Sequence, residues 1–315
     1  MNVLVTGATG FVGARLVRHL RVSAPKTNIH IIARSTSNTW RLADYLDQIT
    51  IHEGDVTDLG SLVRAVAISK PTHIYHFANA GVYGGVSATP ARLLEVNTIG
   101  LAHLLEALRD TPYEGFVNIG SSSEYGLKGA PMRETDSCEP VNAYGISKLA
   151  ATHLATLEAL TYDKSIATFR LFSPFGPQDD ASRLISKAIV SMSRGTPMRV
   201  PHPDAVRDYV YVDDAVELFA DAAKSLARVK GEIFNVGGGI ETRVVDVLSI
   251  IHGAVGSKSV GDVPVVSPLP ASESPRWVAD MEKTYDAFVW RPKHTVEGGL
   301  TKTIAWFREN PEQYL

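Results

Sequence analysis

The chain has very little cysteine and no long apolar run. A single cysteine, Cys138, stands among 315 residues, so no internal disulfide can form. It lies in the polar segment ETDSCEP with no partner for metal binding, so it reads as a loop residue and no metal site is expected. No window holds the roughly 18 uncharged apolar residues of a membrane span. A one-sided charge is lacking too. Thirty-one Lys and Arg against 34 Asp and Glu leave a net charge of −3, without the basic excess that a nucleic acid or an anionic membrane would want. The opening MNVLVTGATG has no basic start, apolar core or small-residue cleavage site of a signal peptide, and reads instead as a first strand entering a Gly-rich turn. These features together give the expectation of a cytoplasmic protein in a reducing compartment.

What is present is an alternation. Strand-like runs at 2–7, 28–34, 49–55, 72–79, 115–122 and 165–173 are separated by helical patterns at 11–23, 39–48, 58–69, 91–110 and 142–161. Strand and helix in turn over this length predict an α/β fold: a doubly wound parallel sheet of the Rossmann kind, covered by helices on both faces. After about residue 174 Pro and Gly become denser, and helical pieces at 182–194, 213–228 and 242–256 alternate with short strands. This reads as a smaller α/β C-terminal substrate lobe. The expected division is a dinucleotide-binding domain of residues 1–173, with a returning segment at about 205–237, and a substrate lobe of 174–204 and 238–315. The helices at 91–110 and 142–161 are apolar on more than one side. Leu93, Leu94, Val96, Ile99, Leu101, Leu104, Leu105 and Leu108 cannot all face one sheet, so further protein must cover the extra face.

Residues 6–13, TGATGFVG, place Gly7, Gly10 and Gly13 between the first strand and the first helix. Glycines there allow positive φ and a close approach of backbone to phosphate, and the helix N-terminus offers N–H groups to a pyrophosphate. The turn, with Gly7, Thr9, Gly10, Phe11 and Val12, is therefore read as a dinucleotide site; a plain strand-to-helix turn is the alternative. The second glycine comes one residue later than in G-x-G-x-x-G. At the end of the second strand an acid would bind a ribose 2′-hydroxyl, whereas Arg would pair with a 2′-phosphate. The segment IIARSTSN has Arg34 and Ser35 there and no carboxylate, so NADP(H) is favoured, NAD(H) remains possible, and an exposed surface Arg is the bland alternative. Asp55, in EGDVTD, is placed to bond the adenine or simply to start a loop.

Tyr144 and Lys148 lie four apart in NAYGISK and share one helix face. A nearby ammonium favours the phenolate and lowers the tyrosine pKa, so the pair can move a proton at a hydroxyl or carbonyl near neutral pH. Lys148 can also reach the nicotinamide ribose. The segment GSSSEYG precedes the pair, at the C-terminal end of a predicted strand, where ligands collect in a parallel sheet. A serine hydroxyl there can hold the reacting oxygen, or three serines can make a capped turn.

With these pieces in place, the sequence resembles the extended short-chain dehydrogenase/reductases, the NAD(P)-dependent epimerase/dehydratase family. The likeness rests on TGATGFVG, GDVTD, HFANA, VNTIG, GSSSEYG, YGISK, RLFSPFGP, RDYVYVDD, NVGGG and SPRWVADMEK, which span nearly the whole chain. It implies an enzyme acting on a sugar nucleotide. It puts Ser121 in the catalytic Ser/Thr place beside Tyr144 and Lys148. It sets Val56, Ala78, Asn79, Ala80 and Asn97 near the cofactor, and Arg207 and Arg276 on the substrate diphosphate. Arg207 can alternatively bridge to Asp208 or Asp213. The GVYGG segment, with Tyr83, would line the substrate pocket. Ser173 stands where the family often has Asn, so contacts there are expected to differ. Ser122 and Ser123 stand where the dehydratases carry an acidic pair or at least a Glu, and Glu124 follows one residue out of step. This argues against elimination of water, though a one-residue deletion could restore a role for Glu124. The reading is a reductase of the 4-keto group of a 4-keto-6-deoxy sugar nucleotide, with Tyr144 as proton donor. A 4-epimerase is the alternative. A dehydratase, or a protein that binds NADP(H) without catalysis, stands further back. The two long apolar helices match the pair that forms a four-helix dimer bundle in the family, so a homodimer is expected, with no nucleic-acid or membrane partner.

Overall fold

The computed structural model describes residues 1–81, 88–196, 198, 200, 202–256 and 275–314. The chain opens with β1 (Asn2–Thr6), α1 (Phe11–Ser23), β2 (Asn28–Ala33), a 3₁₀ segment at Trp40–Gln48, β3 (Ile49–Glu53), α2 (Leu59–Ser69) and β4 (His73–His76). It continues through α3 (Pro90–Leu94), a π turn at Glu95–Ile99, α4 (Gly100–Ala107), β5 (Gly115–Ser121), α5 (Ala143–Thr161) and β6 (Ile166–Leu171). Then come β7 (Ser173–Phe175), α6 (Leu184–Ser193), β8 (Val206–Tyr211), α7 (Val212–Ala222), β9 (Ile233–Val236) and β10 (Glu241–Arg243). The last are α8 (Val244–Val255), β11 (Arg276–Trp277), α9 (Glu282–Ala287) and α10 (Val296–Glu309).

Among the described residues, one sheet runs β3-β2-β1-β4-β5-β6-β9, with every neighbouring pair parallel. The order reverses direction at β1, which is the doubly wound α/β arrangement expected from the alternation. The two-residue period of β1 shows how both faces are covered. Val3 and Val5 pack in a core with Leu16 and Val17 of α1 and with Val216 and Phe219 of α7. Leu4, between them, packs on the other side with Leu62 of α2, Leu104 of α4 and Ala155 of α5. A separate core of Phe175, Ile189, Tyr211, Leu248 and Ile304 gathers α6, β8, α8 and α10 around a small sheet in which β8 pairs with β7, β10 and β11.

The segment at 205–237 is shared between the two sheets. Its strand β8 lies in the small sheet, whereas α7 packs on α1 and β9 closes the large one. Two helical expectations need correcting. Residues 40–48 form a 3₁₀ segment rather than an α-helix, and Leu42 is its one buried residue, so there is no apolar stripe to hold α geometry. The helix expected over 91–110 is broken by the π turn at 95–99 and ends at Ala107. Among the described residues, no helix is long and apolar enough to cross a membrane.

Candidate active site

The site lies at the C-terminal ends of the strands flanking the switch point. Gly7 follows β1 with φ +69°, and a Cβ there would sit 2.4 Å from the Phe77 backbone after β4. A Cβ at Gly13 would sit 2.3 Å from the Gly7 carbonyl. Both positions must be glycine for strand, turn and helix to pack this closely. At the N-terminus of α1, Gly10 supplies no side-chain cap, and the first turn carries no acid. The helix therefore presents backbone N–H donors and positive dipole to an anion, as a dinucleotide pyrophosphate requires.

At the end of β2, Arg34 and Ser35 are exposed, and Ser37 brackets the Arg34 backbone (3.2 and 2.9 Å). The sheet qualifies the expectation of no carboxylate at this corner. Glu53 stands opposite Ala33 in register, and Arg34 acts on the Asp55 carboxyl. Burial raises the Asp55 pKa, but hydrogen bonds from the Thr57 amide and hydroxyl, both 3.0 Å, and the guanidiniums of Arg92 and Arg34 bring it below its ordinary value. Val56 is buried beneath Gly100 of α4.

The loop after β4 is held from two sides. Ala78 N–H donates to Thr6 Oγ1 at 3.3 Å, and Thr6 Oγ1 lies 2.8 Å from His76 Nδ1. Asn97, in the π turn, accepts from Ala80 N–H (2.7 Å) and donates to Ala80 C=O (2.9 Å) and Ser147 Oγ (3.0 Å). Asn97 thus fixes this loop against the helix that carries Ser147. Asn79 lines the cleft, and Tyr83 lies outside the described residues.

Ser121 ends β5 and caps the short turn that follows. Its side chain accepts from Ser123 N–H (3.1 Å), and Glu124 Oε1 accepts from Ser121 N–H (2.7 Å). Glu124 itself is fully buried. Its Oε2 accepts from Arg170 Nε (2.8 Å) and Thr152 Oγ1 (2.9 Å), and the Arg170 guanidinium lies 4.4 Å from the Tyr125 ring centroid. No cleft-lining position falls to Glu124. Its role is to hold the backbone at Ser121, not to face a ligand.

Tyr144 and Lys148 occupy the first turns of α5, capped by Asn142, which accepts from Gly145 N–H at 2.8 Å. Ser147 donates to Tyr144 C=O (2.8 Å), and Thr98 donates to Ser147 C=O (2.9 Å), which ties this turn to the π turn. Lys148 is buried and its Nζ donates to Ile119 C=O. Burial pulls its pKa down to about 8, opposed by the Glu124 carboxylate. Burial, and then the Lys148 charge, push His76 down to about 3, so this imidazole is neutral.

A cleft of about 680 Å³ unites Gly7, Gly10, Phe11, Val12 and Asn79 with Ser121, Ser122, Ser123, Tyr144, Lys148, Ser173 and Arg207. Thr9, Arg34, Ser35, Asp55, Val56, Ala78, Ala80 and Asn97 lie outside this lining. Arg276 does too: it donates to Gly129 C=O (3.0 Å) and pairs with Glu241. Arg207 sits with its guanidinium 5.1 Å from the Trp277 ring centroid. The carboxylates it could have bridged are engaged elsewhere. Asp213 takes both arms of Arg15 (2.8 and 2.6 Å), and Asp208 accepts from the amides of Gly238, Gly239 and Ala279. Cleft residues that the sequence reading missed include Arg183, Tyr209 and Trp277. Ser147 was within reach, since it falls inside YGISK.

The fold and the Gly-rich turn define a doubly wound α/β protein with its ligand cleft at the switch point. A model of the NAD dependent epimerase/dehydratase family matches residues 3–237; the chain belongs to that family and is an enzyme of that kind. It is similar to dTDP-glucose 4,6-dehydratase 1 of Escherichia coli (strain K12), at 27% identity over 98% of this chain and 93% of that protein. It is also similar to UDP-glucose 4-epimerase of Mycolicibacterium smegmatis, at 28% over 99% and 100%. Among solved structures, dTDP-glucose 4,6-dehydratase from Bacillus anthracis in complex with NAD superposes with a TM-score of 0.89, at 25% identity over 100% and 98% of the two chains. Thermus thermophilus UDP-glucose 4-epimerase in complex with NAD gives 0.85, at 28% over 98% and 99%.

Proposed function

We propose that the protein is an NADP(H)-dependent oxidoreductase that reduces the 4-keto group of a 4-keto-6-deoxy sugar nucleotide. The observation that carries the reading is the pairing of Ser121, Tyr144 and Lys148 in one cleft with the withdrawal of Glu124 into a buried ion pair. Elimination of water needs an acid and a base beyond the tyrosine. Here Ser122 and Ser123 line the cleft in the places where the family resemblance puts such carboxylates, and the carboxylate that follows them in sequence, Glu124, is spent on Arg170. Dehydratase chemistry, named for several relatives, therefore fits these residues poorly.

The bound dinucleotide supplies the hydride from its nicotinamide. Tyr144 donates its phenolic proton to the C4 oxygen, and Ser121 donates a hydrogen bond to that oxygen and fixes the ketone. The Lys148 ammonium, unscreened by water, stabilises the phenolate that remains. Arg207 holds the diphosphate. Arg34 and Ser35 take the 2′-phosphate of NADP(H).

A 4-epimerase is the second reading. It is favoured by the likeness to UDP-glucose 4-epimerases over the full chain and by the NAD in the solved relatives. Identifying the nucleotide that copurifies, then titrating NADPH and NADH by fluorescence, separates the two. Dissociable NADPH preferred over NADH by about 10-fold or more, with loss of that preference in Arg34→Ala, supports the reductase. Tightly held NAD⁺ overturns it in favour of the epimerase.

A further inference from the structure

Lysines elsewhere in the protein meet oxygen. Lys224, Lys230, Lys283 and Lys293 pair with carboxylates, and Lys164 donates to a backbone carbonyl. Lys302, exposed on α10, meets nitrogen instead: its Nζ lies 2.8 Å from Nε2 of His294. The other ring nitrogen of His294, Nδ1, lies 2.8 Å from Oδ1 of Asp214, in the first turn of α7. Asp214 is buried, and its Oδ2 accepts from the amides of Lys293 (3.1 Å) and His294 (3.0 Å). The Tyr211 ring packs against the imidazole, with centroids 4.6 Å apart. None of Asp214, His294 and Lys302 lines the cleft described above.

These contacts fix the tautomer. A carboxylate only accepts, so Nδ1 carries the proton and donates to Asp214. Nε2 then holds a lone pair, and the Lys302 ammonium, which only donates, turns to it. A doubly protonated ring would set N–H against N–H there. The result is a base oriented by a buried carboxylate, at hydrogen-bond distance from an amine. That is the geometry by which a nucleophile is activated, with a lysine in the nucleophile's place. Holding the segment before α10 needs only the bonds to Asp214 and no ammonium on Nε2. Lys302 is also within reach of a reagent, because it is exposed while the base and the acid behind it are held in place.

We propose that Lys302 is a covalent modification site, acylated by small activated acyl esters (acyl phosphates or acyl thioesters) with His294 as the base. One proton of the ammonium leaves through Nε2 to water. The free amine attacks the acyl carbon: an N–C bond forms, and the C–O or C–S bond to the leaving group breaks. The second proton passes through Nε2 to the departing phosphate or thiolate. The products are an amide on Lys302 and free phosphate or thiol, and nothing is oxidised or reduced. The site is independent of the cleft and of the reaction assigned to it.

The test incubates the protein with acetyl phosphate and, separately, with acetyl coenzyme A near neutral pH, and follows each lysine by peptide mass spectrometry. Lys26 and Lys187, also exposed, serve as references. Lys302 should acquire the acetyl group about 10-fold or more faster than either, a modest share of what a positioned base contributes. His294→Gln keeps a polar side chain but supplies no base, and should bring Lys302 down to the reference rate. Selectivity with only one of the two donors identifies the source of the acyl group and supports the site. Equal rates at Lys302 and the references in wild type overturn the proposal without recourse to a variant. A fast rate that survives in His294→Gln overturns it as well, because the base then plays no part. The references also report any loosening of the variant. Slowing confined to Lys302 supports the site, whereas rates that change alike at all three lysines overturn it.

Discussion

Lys148 is the residue on which the proposed chemistry is most sensitive to pH. Its ammonium is buried, and desolvation brings its pKa down to about 8. The charged form is the one that stabilises a phenolate at Tyr144, so activity is present below that value and lost as pH rises through it. The expected profile of kcat/KM for ketone reduction has an alkaline limb near pH 8. In Lys148→Arg, whose guanidinium does not titrate in this range, that limb disappears while the plateau falls. A limb that persists in the arginine variant would assign it to another group. Tyr144→Phe should lower turnover by about 10²-fold or more at unchanged NADPH affinity, as measured by steady-state rates and fluorescence titration. Tyr144, Lys148 and the three glycines were legible in the sequence because each signal is contained in a few neighbouring residues. Glu124 was not. Its fate depends on Arg170, 46 residues away, which the β5–β6 register brings opposite Gly120. A Cβ at Gly120 would lie 2.7 Å from Glu124 Oε1, so the glycine makes room for the carboxylate to fold under the strand.

At the scale of elements, periodicity located most strands and helices, and it failed where a side chain overrides it. The long helix expected over 91–110 has the apolar spacing of continuous α structure, yet Glu95–Ile99 is a π turn. One inserted residue in the helical ladder sets Asn97 where its amide can grip both backbone groups of Ala80 and the hydroxyl of Ser147. Through Ser147 the grip reaches the carbonyl of Tyr144. The π turn thereby joins the loop after β4 to α5. Asn97→Ala removes one buried and two half-buried hydrogen bonds and takes the side-chain partner from the Ala80 amide and carbonyl. The expected cost is about 2–4 kcal/mol of unfolding free energy, read from the urea midpoint at constant m. NADPH affinity should fall with it, because the loop carrying Ala78 and Asn79 loses its anchor. A variant with full stability and full affinity would show that the loop is held by its other contact, Thr6, alone. The 3₁₀ segment at 40–48 failed for the opposite reason. Its sequence allows a helix, but only Leu42 finds a core to pack against.

For the whole molecule, the sequence raised a question of coverage that the single chain leaves standing. Leu93, Val96, Leu101, Leu104, Leu105 and Leu108 are buried against the sheet, while Leu94 and Ile99 remain 41% and 47% exposed. On α5, Ile146 is 50% exposed and Leu157 62%. These two are eleven residues apart, close to three helical turns, so they form one stripe on the face of α5 away from Tyr144 and Lys148. An apolar stripe on each of two neighbouring helices is what a two-fold contact would bury, since such an interface presents the same patch from both copies. We therefore expect a homodimer built on α3, α4 and α5, in which the stripe is covered and the catalytic face is untouched. Light scattering should give the mass of two chains at micromolar concentration. Leu157→Glu places an unpaired carboxylate in the centre of that contact and should give a monomer that still binds NADPH, because the substitution lies on the other side of the helix from the cleft. Wild-type protein that scatters as a monomer would leave the stripe to some other partner. A Leu157→Glu variant that remains a dimer would move the contact off these helices.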